Sequence, residues 1–392
     1  MKLLLYSHFF APGVGGVETL LLSLARGLAG LRGPSGESQF EVTLVTQTAG
    51  REFDDGALGF RVVRQPDFWE LRRWTRWTDV VHLAGPALAP MVLGFLEGKP
   101  VVIEHHGYQA VCPNGLLFRQ PTESVCAGHF LAAEYGKCLR CLRAEGPIVQ
   151  SWSRLLLMFP RYWLAKRASA NIAISNHFVG RCALPRLSVI YHGVEEPLES
   201  FTQETDAPQK PIRFAYIGRL VREKGLIFLV EAARLLGEEG HAVELLLIGD
   251  GPERPVLESA IARQGLRDHV RITGFLTGSA FAEAANGADA VLMPTVCEET
   301  AGLAAMEQMM RGRLVIASDI GGLGEVVGDA GLKVKPGDPR ALADAMRAVV
   351  QNPLLVTSLG EKARARAHLL FRRDRMIAEH AQLYRRLASG RR

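Results

Sequence analysis

The stretch IRFAYIGRLVREKGLIFLVEAARLLGEEGHAVELLLIGDG, residues 212–251, decides the fold of this chain. An apolar, β-rich run (212–218) precedes an amphipathic segment with helical periodicity (225–236), and a second apolar run follows (243–251). A strand, a helix and a strand in this order predict a βαβ unit with parallel strands. The alternation continues, with further strands predicted at 270–275, 288–295, 313–319 and 331–336 and helical stretches at 340–350 and 357–388.

The N-terminal half shows the same alternation. Strands are predicted there at 2–8, 40–46, 79–85, 101–107, 170–176 and 187–193. The predicted fold is therefore α/β, with two Rossmann-like, doubly wound domains facing a central cleft. The first predicted domain comprises residues 1–195 and contains a Cys-rich insertion at about 107–150. An acidic, proline-bounded linker (196–211) connects it to a second domain (212–365). A C-terminal helix (366–392) is predicted to pack back on the first domain.

Composition and charge restrict the function classes. The 392 residues are 48% hydrophobic and 22% charged, which excludes a disordered chain, and no apolar run approaches the ~18–20 residues of a membrane span. The net charge of +5 lies entirely in residues 1–195, which hold 20 basic and 15 acidic residues and all five tryptophans. The sequence contains no nucleic-acid-binding signature, so we expect a cytoplasmic protein that binds no nucleic acid. Because the excess positive charge lies in the first half, we expect that half to meet an anionic acceptor or the inner face of a membrane.

Two glutamates, Glu299 and Glu307, are eight residues apart at the start of a predicted helix after strand 288–295. Eight residues at 100° each place them about 80° apart around that helix, so both can border one ligand. Free N–H groups of the predicted first turn would favour phosphate oxygens, and a buried Glu307 suits a vicinal diol such as ribose. The alternative is two ordinary surface glutamates. The four residues of that predicted turn are Thr300, Ala301, Gly302 and Leu303.

Basic and glycine-rich loops accompany these glutamates. Arg219 and Lys224 follow a predicted strand and precede a helix, where they can neutralise a diphosphate, although a solvated basic turn is the alternative. The loop PGVGGVE (12–18), which contains Gly15 and Gly16, allows close backbone approach to a phosphate or sugar. This loop lacks the G-x-G-x-x-G pattern, so a dinucleotide cofactor is not indicated.

Together, PGVGGVE, VVIEHHGYQAVCPNG, YIGRLVREKG and CEETAGLAAMEQMMRGRLVIASDIGG resemble the family 4 glycosyltransferases over residues 3–350. That family comprises retaining, nucleotide-sugar-dependent enzymes of the GT-B fold. The resemblance implies that Arg219 and Lys224 hold the donor diphosphate, with Gly15 and Gly16 near the phosphates. It also implies that Glu307 binds the ribose and that Glu299 lies beside the donor sugar. His106 would contact the donor sugar and the reacting centre, and the neighbouring His105 is the rival for that role.

The implied activity is transfer of a sugar, with retention, from a UDP- or GDP-sugar to a saccharide or lipid-linked acceptor. Arg219, Lys224 and a helix N-terminus would stabilise the leaving diphosphate, so no cofactor is required for catalysis, in agreement with the absence of any D-x-D motif. A GT-B-fold nucleotide-sugar 2-epimerase, a glycosyl phosphorylase and a non-catalytic nucleotide-sugar-binding protein remain alternatives. Two positions depart from the family: Glu299 is followed by Thr-Ala-Gly-Leu instead of G-F-G-L, and His192-Gly-Val-Glu195 replaces N-G-V-D.

Four cysteines, Cys112, Cys126, Cys138 and Cys141, have the spacing C-x13-C-x11-C-x2-C. In a reducing compartment this spacing favours a structural Zn²⁺ site over disulfides, with free thiols as a further alternative. His129 is a candidate substitute ligand.

Two stretches interleave basic and aromatic residues, at 61–77 and 151–167. Such surfaces can rest on anionic lipid. For 61–77 we expect an exposed, acceptor-side surface. For 151–167 the preferred interpretation is that Trp152, Leu155, Leu156 and Phe159 belong to the core, and that Pro160 kinks or breaks the helix.

Overall fold

Strands alternate with helices from the first residues onward in the computed structural model, which describes residues 1–13, 15–50, 53–197, 211–241 and 243–390. The chain divides into two units. Unit 1 comprises Met1–Thr122, Cys126–Gly193 and Arg372–Arg392, and unit 2 comprises Glu123–Val125 and Val194–Phe371. Most of the predicted linker, residues 198–210, lies outside the described residues.

The first half of the chain builds a parallel sheet in unit 1, with strand order β3-β2-β1-β4-β5-β8-β9. Its central strands are buried on both faces, as the apolar runs predict; Leu3, Leu4 and Leu5 of the first strand are all completely buried. The elements of the first half of the chain, in chain order, are β1 (Lys2–Ser7), α1 (Gly16–Gly30), β2 (Glu41–Thr46), β3 (Arg61–Arg64), α2 (Phe68–Trp77), β4 (Val80–Ala84), α3 (Leu88–Leu96), β5 (Val101–His105), β6 (Phe118–Arg119), β7 (Ser124–Val125), α4 (Tyr135–Arg143), α5 (Ile148–Ala165), β8 (Ala170–Ala173), α6 (Asn176–Arg181) and β9 (Leu187–Val189). Of these, only β7 belongs to unit 2.

Unit 2 contains a six-stranded parallel sheet with strand order β12-β11-β10-β13-β14-β15. Its elements are β10 (Ile212–Ile217), α7 (Leu226–Glu238), β11 (Val243–Ile248), α8 (Arg254–Arg263), β12 (Val270–Gly274), α9 (Gly278–Asn286), β13 (Ala290–Met293), α10 (Leu303–Met310), β14 (Leu314–Ser318), α11 (Gly321–Val327), β15 (Leu332–Val334), α12 (Pro339–Gln351) and α13 (Leu354–Leu370). Counted from β10, this is the doubly wound order 3-2-1-4-5-6, and the order reverses between β10 and β13. The prediction of two Rossmann-like α/β domains is confirmed.

The last helix of the chain, α14 (Arg373–Ser389), lies in unit 1 and packs against α1. The two helices approach closely at Gly27, where a Cβ atom would lie 2.1 Å from Cδ1 of Ile377. The prediction of a single helical stretch at 357–388 is wrong, because α13 ends at Leu370 and α14 begins at Arg373. The buried Phe371 occupies the break, at the boundary between the two units.

Strand β3 is absent from the prediction because RVVR is short and half of it is arginine. It pairs with β2 at the edge of the sheet, where Arg64 forms a bidentate contact with Asp55. Part of the stretch 61–77 is therefore sheet and not only an exposed surface.

Candidate functional site

Two loops of unit 2 meet at the carboxyl ends of the adjacent strands β10 and β13. The carbonyl oxygen of Glu223, in a 3₁₀ turn (Arg222–Lys224), accepts hydrogen bonds from Oγ1 of Thr295 (2.8 Å) and from the N–H of Val296 (3.0 Å). Gly225, with a φ of +65°, allows this approach, because a Cβ atom there would lie 2.2 Å from the carbonyl oxygen of Pro294. The loops are thus held together at the point where open α/β sheets bind ligands.

This junction pairs Lys224 with Glu299. Nζ of Lys224 lies 2.8 Å from Oε2 of Glu299, and the two side chains are 25% and 17% exposed. Burial lowers the pKa of Lys224, but the charge and hydrogen bond of Glu299 raise it more, so the net pKa is above the usual value. Sequence reasoning selected both residues but did not foresee their ion pair.

Arg219 lies at the start of the same loop and is exposed. Its backbone carbonyl accepts a 2.8 Å hydrogen bond from the hydroxyl of Tyr216, and the N–H of Leu220 donates to the carbonyl of Asp250. Gly251 permits this contact, since a Cβ atom there would lie 2.3 Å from the carbonyl oxygen of Leu220. The loop backbone is therefore anchored, while the guanidinium group faces solvent.

The prediction that a helix begins near Glu299 is wrong. Helix α10 begins at Leu303, after Gly302, whose φ of +110° is outside the helical region. Thr300 and Ala301 therefore precede the helix, and the 80° separation of the two glutamates does not apply. Instead, the backbone of Glu299 is anchored at α11, because its carbonyl accepts a 2.6 Å hydrogen bond from the N–H of Gly322.

Glu307 lies on α10 and is half-buried. Burial raises the pKa of its carboxyl group, and the charge of Arg311 lowers it to a smaller extent. Within the part of the chain that the structure describes, no side chain donates a hydrogen bond to this carboxylate. A half-buried acceptor without a protein donor is suited to a hydroxyl-bearing ligand.

The last residue of β5, His105, and the residue after it, His106, have different surroundings in unit 1. His105 is fully buried, stacks on Phe178, and has Nε2 2.9 Å from Oδ1 of Asn171; burial lowers its pKa to about 4. His106 is partly exposed, and its Nδ1 lies 3.2 Å from Nε2 of His192. The packing of His105 favours His106 as the ligand-contacting residue of the two.

The glycine loop of unit 1 leads directly into α1. Gly15 is the N-cap of that helix and Gly16 is its first residue, while Val14 lies outside the described residues. A Cβ atom at Gly15 would lie 2.4 Å from a carboxylate oxygen of Glu18. The absence of a side chain at Gly15 therefore leaves room for the carboxylate of Glu18 beside the first turn of α1.

The four clustered cysteines are free thiols in unit 1. Cys138 and Cys141 lie one turn apart on α4, and the side chain of Asn114 contacts both Cys112 (3.0 Å) and Cys141 (3.6 Å). The pKa of Cys138 is raised to about 12, mainly by burial and to a smaller extent by the three other thiols nearby. Among the described residues, no three of the sulfur atoms lie within 4.8 Å of one another.

The interpretation of residues 151–167 as core is wrong in part. Leu155 is buried, but Trp152, Leu156 and Phe159 are 48%, 58% and 42% exposed. Helix α5 also continues through Pro160 without interruption. In the described residues, no helix combines the length and the apolar character needed to cross a membrane.

Sequence reasoning missed Glu104, a completely buried carboxylate next to His105. It also missed the contact of His192 with His106, because His192 was noted only as a departure from a turn motif. The available signal for Glu104 was an acidic residue within the apolar run VVIEHHG.

Comparisons with known proteins support a glycosyltransferase relationship. Residues 211–352 match the family model described as glycosyl transferases group 1. Over 150 residues the chain is 34% identical to the alpha-D-kanosaminyltransferase of Streptomyces kanamyceticus, covering 38% of this chain and 39% of that protein. It is 26% identical over 297 residues to an amylovoran biosynthesis glycosyltransferase of Erwinia amylovora, covering 74% and 70% of the two chains.

The chain thus spans about two fifths of the length of the first of these relatives. Its structure resembles that of Anabaena HepE in complex with UDP, with a TM-score of 0.72 and 20% identity over 98% of this chain and 99% of that one. The fold is therefore GT-B, as predicted, and the C-terminal unit is similar in sequence to the group 1 glycosyltransferases.

Proposed function

We propose that the protein is a retaining glycosyltransferase that moves a sugar from a UDP- or GDP-sugar to a saccharide or lipid-linked acceptor. The observation that carries the proposal is the arrangement at the carboxyl ends of β10 and β13, where the Lys224–Glu299 pair lies within the region that matches the family. The side chains of Arg219 and Glu307 form no hydrogen bond or ion pair within the described residues. Arg219 supplies a further cation five residues before Lys224, and Glu307 an acceptor eight residues after Glu299. The UDP complex of Anabaena HepE and the similarity to the amylovoran biosynthesis glycosyltransferase of Erwinia amylovora support this class of donor and acceptor.

Each residue has a distinct role in the proposed reaction. Arg219 and Lys224 stabilise the charge that develops on the leaving diphosphate, and the carboxylate of Glu307 accepts hydrogen bonds from the ribose diol. Glu299 holds Lys224 and lies beside the donor sugar. The acceptor oxygen attacks the face from which the diphosphate departs, which retains the anomeric configuration. Thr300, Ala301, Gly302 and Leu303 border the sugar, and Gly15, Gly16 and His106 contact the donor.

Isothermal titration with UDP and GDP tests donor recognition. We expect binding of one nucleotide by the full chain, and weaker binding by Glu307→Ala and Arg219→Ala. Binding of neither nucleotide, or unchanged affinity in Glu307→Ala, would contradict the assignment. Product analysis with the donor alone distinguishes the alternatives, because a 2-epimerase releases the free 2-epimer without acceptor and a binding protein gives no product.

The cationic side chains at the diphosphate site lead us to infer transfer without a required cofactor. Arg219 and Lys224 supply the positive charge that a divalent metal ion supplies elsewhere. Turnover should therefore persist in EDTA, and full loss in EDTA with recovery on adding Mg²⁺ would contradict this inference.

A structural zinc ion at Cys112, Cys126, Cys138 and Cys141 remains part of the proposal. Its support is the sequence spacing and the placement of the C-x2-C pair on one helix beside Asn114. Binding would draw the sulfur atoms together to tetrahedral distances. Metal analysis should give one zinc per chain, retained in Cys182→Ser and lost in Cys138→Ser; a zinc-free wild-type protein would reject the site.

Peripheral contact with an anionic membrane is supported by the exposed face of α5. Trp152, Leu156 and Trp163 are 48%, 58% and 53% exposed, and Arg167 stacks on the ring of Trp163. Aromatic and basic side chains on one helix suit the headgroup region. Salt-sensitive sedimentation with phosphatidylserine liposomes should be lost in Trp152→Ser/Leu156→Ser and kept in the control Leu354→Ser, an exposed leucine of unit 2. Equal sedimentation of all three proteins would exclude this surface.

A further inference from the structure

Glu104 lies at the carboxyl end of β5 with only 1% of its side chain exposed. Its Oε2 atom is 3.2 Å from Nε2 of His82 and 3.3 Å from Nε2 of His380, and its Oε1 atom is 3.6 Å from Nε2 of His192. Within the described residues, no lysine or arginine pairs with this carboxylate. A buried carboxylate needs a compensating charge, so one of the imidazoles must supply it.

His380, on α14, is the imidazole that carries the charge. Its Nδ1 lies 2.9 Å from the carbonyl oxygen of Met376, which only accepts, so Nδ1 bears a proton. Its Nε2 faces the carboxylate of Glu104 and must bear a second proton. Burial lowers the pKa of His380, but Glu104 raises it above the usual value, and the imidazoles hold the pKa of Glu104 low despite its burial. His82 completes this side, with Nδ1 2.9 Å from the hydroxyl of Tyr384.

His192 connects Glu104 to His106. Burial lowers the pKa of His192 to about 3, so its ring is neutral and carries one proton. The nearby carboxylate favours that proton on Nε2, which lies 3.6 Å from Oε1 of Glu104 and 3.2 Å from Nδ1 of His106. The Nε2–H group of His192 then donates to Nδ1 of His106. Burial also keeps the pKa of His106 below its usual value, so this ring is neutral and its own proton resides on Nε2.

We infer that Glu104 and His192 are positioning residues that fix the tautomer and orientation of His106, so that His106 presents Nε2–H as a hydrogen-bond donor. This inference rests on the proposed function in one respect, namely that His106 faces the donor sugar. In that role His106 donates to a sugar or phosphate oxygen and does not act as a general base, because its only lone pair is occupied by His192. The inference also gives a role to the histidine that stands in place of the asparagine of N-G-V-D.

Long-range ¹H–¹⁵N NMR spectra of the full chain labelled with ¹⁵N-histidine test the tautomer directly, with His106 assigned from the spectrum of His106→Gln. We expect an unprotonated Nδ1 and a protonated Nε2. His192→Phe should give a mixture of tautomers, and His192→Gln, whose amide can donate, should restore the wild-type pattern. Protonation of Nδ1 in the wild-type protein, or an unchanged spectrum in His192→Phe, would overturn the inference. His192→Phe and His192→Gln leave the pair of Glu104 with His380 in place. The test therefore does not depend on a substitution of the buried Glu104 itself.

Steady-state kinetics with the nucleotide sugar that is turned over provide the functional readout. His192→Phe should lower kcat by about 10–100-fold, while KM for the donor changes by less than about threefold. His192→Gln should recover most of kcat. The matched control is His368→Phe in unit 2, where His368 pairs with Glu196 at 3.1 Å, and its kcat should equal that of the wild type. An equal loss in the control, or no loss in His192→Phe, would overturn a positioning role.

Two further outcomes separate the possible failures. If the wild-type protein turns over no nucleotide sugar, the proposed function fails, while the NMR pattern still decides the tautomer. Glu104 also belongs to two groups of three residues, one with His82 and His380 and the other with His106 and His192. Within each group the ligand atoms lie within 4.8 Å of one another, as in a metal site. One metal ion per chain that is lost in Glu104→Gln and kept in Cys138→Ser would overturn the proton-based arrangement.

Discussion

The ion pair between Lys224 and Glu299 supports a quantitative prediction about the stability of unit 2. Two unit charges about 4 Å apart attract by about 4 kcal/mol at an effective dielectric constant of ~20, and desolvation offsets much of this. Removing one partner of a buried pair costs about 3–5 kcal/mol. Since these side chains are 25% and 17% exposed, we expect a loss of about 2–3 kcal/mol for Lys224→Met or Glu299→Gln.

A double-mutant cycle isolates the interaction itself. We expect Lys224→Met/Glu299→Gln to be more stable than the sum of the single changes predicts, with a coupling energy of about 1–2 kcal/mol. Because Glu299 raises the pKa of Lys224, this stabilisation is complete below the unfolded-state pKa of about 10.4 and is lost as the pH rises through the folded-state value. The free energy of unfolding from urea titrations, measured at pH 7 and above pH 10, checks both statements.

The matched control is the ion pair of Arg213 with Glu244, which joins β10 to β11 in the same unit at 3.0 Å with both side chains about half exposed. Its coupling energy should be below about 0.5 kcal/mol, as for other exposed pairs. Equal coupling energies for the two pairs would refute the reasoning, because the expected difference is attributed to the burial of Lys224 and Glu299. A coupling energy near zero for Lys224 and Glu299 would show that the pair does not form.

Three further predictions concern single residues. Glu307→Gln should weaken nucleotide binding by about 1.5–3 kcal/mol in isothermal titration, since hydrogen bonds to a charged acceptor are lost; an unchanged Kd would contradict the diol contact. Gly302→Ala should lower the free energy of unfolding, measured by urea titration, by about 1–2 kcal/mol. The reason is that φ of this residue is +110° and the new Cβ would lie 2.8 Å from Cδ1 of Leu323. A variant as stable as the wild type would mean that α10 begins elsewhere. Burial lowers the pKa of His105 to about 4, so its neutral ring contributes stability above pH 6.5 that is lost as the pH falls towards 4. The free energy of unfolding of His105→Gln should therefore depend less steeply on pH between 6.5 and 4 than that of the wild type, and an unchanged slope would contradict the buried neutral ring.

The strands were predictable because most are apolar runs buried on both faces. β10, for example, carries Phe214, Ala215 and Tyr216, each buried, in a run that no exposed strand would tolerate. β3 was not predictable in this way, because it is a four-residue edge strand that contains two arginines and has only one buried residue. Hydrophobic periodicity therefore identifies central strands and fails at sheet edges.

The start of α10 illustrates a different limit. The residues from Glu299 to Glu307 satisfy a helical spacing, but a positive φ at Gly302 separates them into a loop and a helix. The contacts that hold the loop come from α11, where Gly321 would place a Cβ atom 2.7 Å from the carbonyl oxygen of Glu299. Spacing along the chain therefore could not determine which of the two glutamates belongs to the helix.

The candidate site contains residues that the sequence identifies and contacts between them that only the strand order determines. Arg219, Lys224, Glu299 and Glu307 were identifiable from the sequence because each follows a strand that the apolar pattern reveals. The pairing of Lys224 with Glu299 depends on which strands are neighbours. β10 and β13 are adjacent although β11 and β12 lie between them in the chain, and Glu223 and Thr295 are 72 positions apart. This adjacency follows from the doubly wound order and not from local sequence. The same reasoning applies to Glu104, whose partners come from β4, the segment after β9 and α14. Its carboxylate is stabilised in the interior only when these three distant imidazoles converge on it. Residues that face a ligand from the end of one strand are thus visible in sequence, whereas residues that hold them in place become visible only when the strand order is known.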